Sequence, residues 1–232
     1  MSSSRLPGKV MLRWNGLTMI EIMIRRVQQC KLINQIVVAT TVNPQDDSLC
    51  EHLVSLGIDF YRGPEDDVLK RVYEAAVSFK AESIVSLTAD CPLIDPLIIE
   101  DCIQIYLHNN ADFVTNCHFR SFPDGMDVQV FSLETLADAN LNAIFADERE
   151  HTTLYLRRNT RLSKLINVVA NSKYNNPNLG LTLDEEMDAI FIRNILDNLE
   201  SPFQDNCSEI LDTIRDKELI ILNSSVKRKL VK

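Results

Sequence analysis

The chain has 232 residues, 45% hydrophobic and 25% charged, which is typical of a compact protein with a core of its own. Its net charge of -9 argues against a general nucleic-acid binder, which needs a dense basic face. No apolar run is long enough to span a membrane, and residues 1–10 lack the apolar segment of a secretory signal, so we expect a cytoplasmic protein.

Cysteine and histidine spacing gives no sign of a zinc site. The six cysteines form no CxxC pair, and the four histidines are scattered along the chain. Because each cysteine lies in or beside an apolar segment, we expect reduced thiols that pack as small hydrophobic groups.

The first half of the chain alternates between strand and helix patterns. Short β-branched runs predict strands, and apolar residues spaced by three and four predict amphipathic helices. Because each strand is followed by a helix with no linker between units, we expect a mostly parallel sheet with helices on both faces. The predicted strands are 35–42, 58–61, 83–87 and 112–116, and the predicted helices are 44–56, 65–79 and 96–107.

The second half is less regular. A polar loop at 118–125 precedes an alternating segment that predicts an exposed or edge strand. We expect an α/β fold with a Rossmann-like sheet and a small mixed insertion. Residues 1–200 would form the main domain, and 201–232 a helical extension with a basic tail. The further predicted strands are 127–131, 162–169 and 179–183, and the helices are 132–143, 147–158, 185–199 and 206–216, with Asp184 as the cap of the third.

Three polar loops are candidates for a binding site, because ligands of open α/β sheets bind beyond the carboxyl ends of the strands. Residues 2–9 combine hydroxyl groups, a guanidinium, an ammonium and a glycine, which suit a polyphosphate. A disordered basic terminus is the competing interpretation. Residues 88–95 and 181–186 each place an aspartate after a strand, where it could bind magnesium or cap the next helix.

These loops belong to an ordered set of blocks across residues 2 to 197, which resembles the cytidylyltransferases that make CMP-activated acidic sugars. The family includes the CMP-sialate and CMP-KDO synthetases, and the similarity is greatest to its spore coat polysaccharide biosynthesis protein F branch. The resemblance implies a nucleotide-diphospho-sugar transferase-like fold. The blocks are Ser4 to Lys9 followed by Asn15-Gly16, then 63–71, 90–96, 123–128 and 148–152.

The resemblance implies a role for each matching residue. Ser4, Arg5 and Lys9 would hold the phosphates of CTP, and Lys9 and Asp90 would be the catalytic residues. Asp90 would also bind Mg²⁺ near the ribose, and Asp184 would complete the metal site.

Two other blocks carry further candidates. Asp66, Asp67 and Arg71 fall in the block typical of the branch, and Asp66 and Arg71 are expected on the nucleotide side. Asp127 and His151 fall where the family builds its sugar pocket. The resemblance also suggests a homodimer formed through residues 118–170.

The reaction implied is attack of a sugar hydroxyl on the α-phosphate of CTP, which releases pyrophosphate. Positioning and neutralisation of charge would supply most of the catalysis. The general base stays open between Asp90 and a hydroxide on the metal. A glycosyltransferase of related architecture is disfavoured, because residues 88–90 offer one aspartate rather than a DxD motif. A nucleotide-binding remnant without catalysis is the other alternative.

The sequence departs from the family pattern in two places. The family begins with an apolar strand that runs into an Ala-Arg pair, whereas this sequence starts inside the loop that follows. We therefore expect a longer upstream frame, and weak activity or solubility for the chain as given. Leu17 also stands where the family usually has a lysine after Asn-Gly.

Overall fold

The computed structural model describes residues 5–158 and 164–223. Within this part, no helix is both long and apolar enough to cross a membrane. The helices are α1 Met19–Val27, α2 Asp47–Ser55, α3 Val68–Ser78, α4 Pro96–Asn109, α5 Leu133–Asn142, α6 Ala146–Glu150, α7 Leu154–Arg158, α8 Glu186–Asn198 and α9 Cys207–Asp216. The strands are β1 Arg13–Trp14, β2 Leu17–Thr18, β3 Val37–Thr41, β4 Asp59–Gly63, β5 Ser83–Ser86, β6 Phe113–Thr115, β7 Gln129–Ser132 and β8 Leu165–Asn167.

The main sheet has four strands in the order β5-β7-β6-β8. Strands β6 and β8 are parallel, whereas β7 runs antiparallel to both of its neighbours. Strands β3 and β4 form a separate parallel pair, and β1 and β2 a short antiparallel one. Val38 and Val85 of the two larger sheets pack against the same hydrophobic core, which joins the sheets. The predicted α/β class is confirmed, but the main sheet is mixed rather than mostly parallel, because β7 inserts antiparallel between β5 and β6.

Alternation of side chains along β6 and β7 builds a core on each face of the main sheet. Val114 and Val130 point into the larger core, to which α1, α2, α4, α8 and α9 contribute. Phe113 and Phe131 point the other way, into a smaller core with α3, α5 and α7. Because neighbouring residues of a strand face opposite sides, one short strand serves both cores. Helices therefore cover both faces, as predicted.

Strand β7 is central rather than exposed or at an edge, so the prediction for residues 127–131 was wrong in position. Val130 and Phe131 are both buried, because helices cover both faces of the sheet at this strand. Alternation of polar and apolar residues predicts a strand with one exposed face, so the sequence pattern does not indicate that both faces are buried here.

The helix predicted over 147–158 is divided into α6 and α7 by a bend at His151. Between the two helices, the Thr153 hydroxyl donates to Gln129 of β7 in a very short contact. This tertiary hydrogen bond joins the turn between α6 and α7 to the main sheet.

The six cysteine thiols are free, and all except Cys117 are buried. Burial raises the pKa of Cys102 and of Cys207 to about 12, which keeps both thiols protonated.

Candidate active site

Lys9 is the centre of a cluster that joins the three predicted loops. It begins a short 3-10 turn directly after Gly8, whose φ of 70° is in the left-handed region. The Lys9 ammonium donates to Asp90 Oδ2 at 2.7 Å and to Asp184 Oδ1 at 3.0 Å. The partners lie 81 and 175 positions away in the sequence, so tertiary folding alone brings the three side chains together.

The loops that carry Asp90 and Asp184 are fixed side by side by the backbone. The amide of Leu183 donates to the carbonyl of Asp90 at 2.8 Å. Asp95, at the other end of the first loop, accepts from the amide of Leu97 and caps α4, as predicted. Asp90 is therefore held between the end of β5 and a capped helix.

The loop that carries Asp184 differs from its prediction. Residues 179–183 form no strand; Gly180 makes only an isolated bridge with Asp124. Asp184 is not the cap of α8, because Glu185 occupies that position and buried Asp188 accepts from the amides of both residues, at 3.0 and 2.9 Å. Since Asp188 satisfies these amides, the Asp184 carboxylate is left to face Lys9.

The charges of the cluster stabilise one another. Burial lowers the pKa of Lys9, but the carboxylates of Asp90 and Asp184 outweigh it, and the pKa lies above its ordinary value. Burial raises the pKa of Asp184, yet Lys9 and Arg5 bring it below its ordinary value. Lys9 is thus a cation, and Asp184 an anion, over the whole physiological range.

Arg5 adds a second cation on the solvent side of the Lys9 cluster. Its guanidinium lies 3.0 Å from Asp184 Oδ1 and 3.6 Å from Glu185 Oε1. The Arg5 side chain is 44% exposed, whereas that of Lys9 is 16% exposed. A triphosphate that approaches from solvent would meet Arg5 first and Lys9 further in. Ser4, the third predicted phosphate ligand, lies outside the described residues.

The donor set of the cluster fits a magnesium ion. No group of three or more His, Cys, Asp or Glu side chains suited to a metal occurs in the described ranges. Asp90 and Asp184 nevertheless give two carboxylates that already share one cation. Mg²⁺ commonly takes one or two protein carboxylates and completes its shell with water and substrate phosphates.

Comparison with known proteins agrees with this geometry. A family model described as Cytidylyltransferase matches residues 1–223. The chain belongs to the cytidylyltransferase family. It is therefore a nucleotidyltransferase enzyme, and the predicted family resemblance is confirmed. The match also extends past residue 200, into helix α9, which packs into the larger core.

Individual relatives of this cytidylyltransferase cover most of the chain. The spore coat polysaccharide biosynthesis protein SpsF of Bacillus subtilis is 29% identical over 193 residues, 81% of this chain and 79% of that protein. A 3-deoxy-manno-octulosonate cytidylyltransferase of Geobacter metallireducens is 25% identical over 159 residues, 68% of this chain and 57% of that protein. The solved structure of a cytidylyltransferase from Leptospira borgpetersenii is 30% identical, with a TM-score of 0.91 over 98% of this chain and 95% of that one.

The block at 63–71 of the cytidylyltransferase forms a braced loop. Arg71 donates to the carbonyls of Pro64 and Glu65 at 2.5 and 3.3 Å, and its aliphatic part packs on Gly63. Asp66 is exposed, and it is not among the hydrogen-bond or ion-pair partners that the described residues of the Lys9 cluster have in the structure. Nucleotide binding by Asp66 and Arg71 therefore stays a prediction.

Asp67 joins the braced loop to a second block of the cytidylyltransferase. Its carboxylate accepts from Arg149 at 2.6 Å and from the amide of Lys70 at 3.0 Å. Arg149 also donates to the carbonyl of Asn140. These contacts give both blocks a structural role.

Asp127 lies in a loop that packs against the Asp184 loop. Its two carboxylate oxygens each accept from Arg120 at 2.7 Å, and Arg120 also lies 3.3 Å from Asp124. The neighbouring Gly125 has a φ of 106° and packs on the backbone of Leu181. Arg120 was missed by the sequence analysis, although it lies three positions before the block at 123–128.

A second unforeseen cation, Arg157, is close enough to Cys117 to influence its thiol. Burial raises the pKa of Cys117 to about 11, the charge of Asp127 adds to the rise, and the charges of Arg157 and Arg120 oppose it. The buried Nε of Arg157 has no hydrogen-bond partner among the residues described. His151, predicted for the same pocket, is exposed at the end of α6 and outside the Lys9 cluster.

Proposed function

We propose that this cytidylyltransferase transfers CMP from CTP to the hydroxyl of an acidic sugar, with Mg²⁺, and releases pyrophosphate. The observation that carries the proposal is the convergence of Lys9, Asp90 and Asp184 from three distant loops on one cluster. A triphosphate with a bound metal ion needs cations for its phosphate oxygens and carboxylates for the metal, and the cluster supplies two of each.

Each residue of the cluster has a part in this reaction. Lys9 and Arg5 bind the triphosphate and stabilise the negative charge of the departing pyrophosphate. Asp90 and Asp184 hold Mg²⁺, which supplies Lewis-acid neutralisation of the phosphate oxygens when it is bound. Buried Asp188 keeps Asp184 oriented by accepting from the backbone of its loop.

The acidic acceptor is supported by two arginines, Arg120 and Arg157, whose positive charges act on Cys117 together with the charge of Asp127. Arg120 is held by Asp127, but the buried Nε of Arg157 is without a partner among the described residues. We propose that Arg157 binds the sugar carboxylate while Asp127 and His151 contact hydroxyl groups. Two relatives, a spore coat polysaccharide biosynthesis protein and a 3-deoxy-manno-octulosonate cytidylyltransferase, support an acidic sugar destined for a surface polysaccharide.

We also propose that the enzyme works in the cytoplasm as a homodimer formed through residues 118–170. Large apolar side chains are exposed within this range, and side chains of this kind are common at interfaces. Among the described residues they are Phe119, Leu141, Ile144, Phe145 and Val169. Sedimentation of the wild-type chain tests the dimer, which a monomer mass at micromolar concentration would refute.

A pyrophosphate-release assay tests the reaction. Wild-type enzyme is mixed with CTP, Mg²⁺ and a panel of sugar acids that includes 3-deoxy-manno-octulosonate and N-acetylneuraminate. Asp90→Asn should reduce release by about a hundredfold or more, because it removes a carboxylate of the metal site. Asp212→Asn, at an exposed aspartate of α9 that is outside the Lys9 cluster, is the matched control and should lower release far less. Binding of CTP without turnover of any sugar acid would instead favour the alternative of a nucleotide-binding remnant without catalysis.

A further inference from the structure

The Lys9 ammonium occupies the position between Asp90 and Asp184 that the proposed metal would share. We propose that Lys9 is an internal competitor for this metal, which keeps the free enzyme from binding a divalent cation until the nucleotide arrives. This inference rests on the proposed function, because it takes Asp90 and Asp184 as the metal-binding carboxylates.

The geometry supports competition. Asp90 and Asp184 each give one oxygen to the same ammonium, at 2.7 and 3.0 Å. The side chains of the three residues are only 16%, 25% and 24% exposed, so solvent screens their charges weakly. A divalent cation bound to both carboxylates would lie against the Lys9 charge unless Lys9 moved away.

The balance of charge indicates when Lys9 would move. In the free enzyme, Asp184 is already neutralised by Lys9 and Arg5, and Asp90 by Lys9. A metal ion alone would displace these cations and offer them no new partner. A metal ion that arrives with a triphosphate brings anionic oxygens for both, and the flexible lysine side chain can reach them without backbone movement. Metal and nucleotide binding are thereby coupled through one side chain.

Titration with Mn²⁺ in the absence of nucleotide tests the proposal. Calorimetry and the electron paramagnetic resonance signal of free Mn²⁺ report binding without any dependence on turnover. Lys9→Met should bind Mn²⁺ roughly tenfold or more tightly than wild type, because the competing charge is removed. Lys70→Met is the matched control: it removes an exposed lysine of α3 and should leave the weak wild-type affinity unchanged.

A second pair of variants keeps the test decisive. Adding Asp184→Asn to Lys9→Met should abolish the gain, which locates the ion at this pair of carboxylates. Lys9→Arg preserves a cation between the carboxylates and should bind Mn²⁺ as weakly as wild type. Should Lys9→Met fail to fold by circular dichroism, a crystal structure of the wild type with CTP and Mn²⁺ replaces it, with Lys9 expected on a phosphate oxygen.

Three results would overturn the inference. Equal Mn²⁺ affinity for folded Lys9→Met and wild type shows that Lys9 does not compete, although the metal site itself survives. A crystal structure with CTP and Mn²⁺ in which Lys9 still contacts both carboxylates would likewise show that Lys9 does not compete with the metal. Absence of Mn²⁺ binding from every variant, with CTP present as well, instead removes the metal role of Asp90 and Asp184 and the proposal with it.

Discussion

Asp67 shows how one side chain can serve two parts of the molecule. It caps α3 through the amide of Lys70 and holds Arg149 at 2.6 Å, 82 positions along the chain. Burial raises its pKa, but the hydrogen bonds from Arg149 and Lys70 outweigh it, so the pKa lies below the ordinary 3.8. The Asp67–Arg149 ion pair should stabilise the fold fully above about pH 4, and its contribution should be lost as the pH falls through the lowered pKa of Asp67.

Asp67→Asn tests this pH dependence, because asparagine keeps the helix cap and removes only the charge. At pH 7 the variant should lose about 1 to 2 kcal/mol of unfolding free energy. Urea unfolding at several values between pH 7 and pH 3 should show the difference from wild type shrinking below pH 4. A difference that stays constant over this range would mean that the ion pair does not contribute.

Arg157 gives a prediction about substrate recognition. Because its Nε lacks a partner within the described part of the chain, we expect it to bind the acceptor carboxylate. Arg157→Met should raise KM for the sugar acid roughly tenfold or more and leave KM for CTP nearly unchanged. Steady-state kinetics with each substrate varied in turn measures the split. An equal rise in both KM values would point to a general structural effect.

At the scale of elements, close contact between loops builds the site. The loop with Gly125 packs on the loop that leads to Asp184, and the Leu181 amide donates to the Asp124 carbonyl at 2.6 Å. A Cβ atom at Gly125 would lie 2.8 Å from the backbone carbon of Leu181, at a φ of 106° that side chains rarely adopt. The glycine is therefore required by the packing as well as by the turn.

Gly125→Ala should cost about 3 kcal/mol of unfolding free energy and also lower activity, because the clash displaces the loop that carries Asp184. Gly57→Ala is the control, since its φ of 67° is also positive but no atom lies within 4 Å of the added carbon. The control should cost about 1 kcal/mol and keep full activity. Thermal melts and pyrophosphate release measure both effects; equal losses for the two variants would contradict the packing argument.

At the scale of the whole molecule, buried Arg26 ties the C-terminal segment to the active-site loop. It donates to the carbonyls of Ile94, Pro202 and Asp205 at 2.9, 2.5 and 2.7 Å. Burial lowers the pKa of Arg26 to about 10, which still keeps it charged at neutral pH. Asp95 completes the connection by accepting from the amide of Cys207 at 2.7 Å.

Arg26→Met should destabilise the protein by about 3 kcal/mol or more, because it leaves three backbone carbonyls without their donor and removes a buried positive charge that acts on Asp95. The neighbouring Arg25→Met removes an exposed arginine whose ion pair with Glu21 lies one turn away, and should cost less than about 1 kcal/mol. Chemical denaturation compares the two variants. Similar losses would show that burial of Arg26 gives it no special role.

The sequence by itself determined the α/β class, the family and the three residues of the central cluster. Periodicity is a local property, so the helices and strands between residues 35 and 116 were predicted to within a few residues. The motifs placed Lys9, Asp90 and Asp184 in loops at the ends of predicted strands or at helix starts. Each of these inferences depends on residues that are near one another in the chain.

Only the tertiary structure decided the features that depend on distant partners. The central position of β7, the bend between α6 and α7 and the absence of a strand at 179–183 all follow from contacts made across the fold. The ion pair of Arg120 with Asp127, and the buried Nε of Arg157 that has no partner among the described residues, emerged for the same reason. Burial and charge pairing arise from packing in three dimensions, and the spacing of residues along one chain does not specify which surfaces will meet.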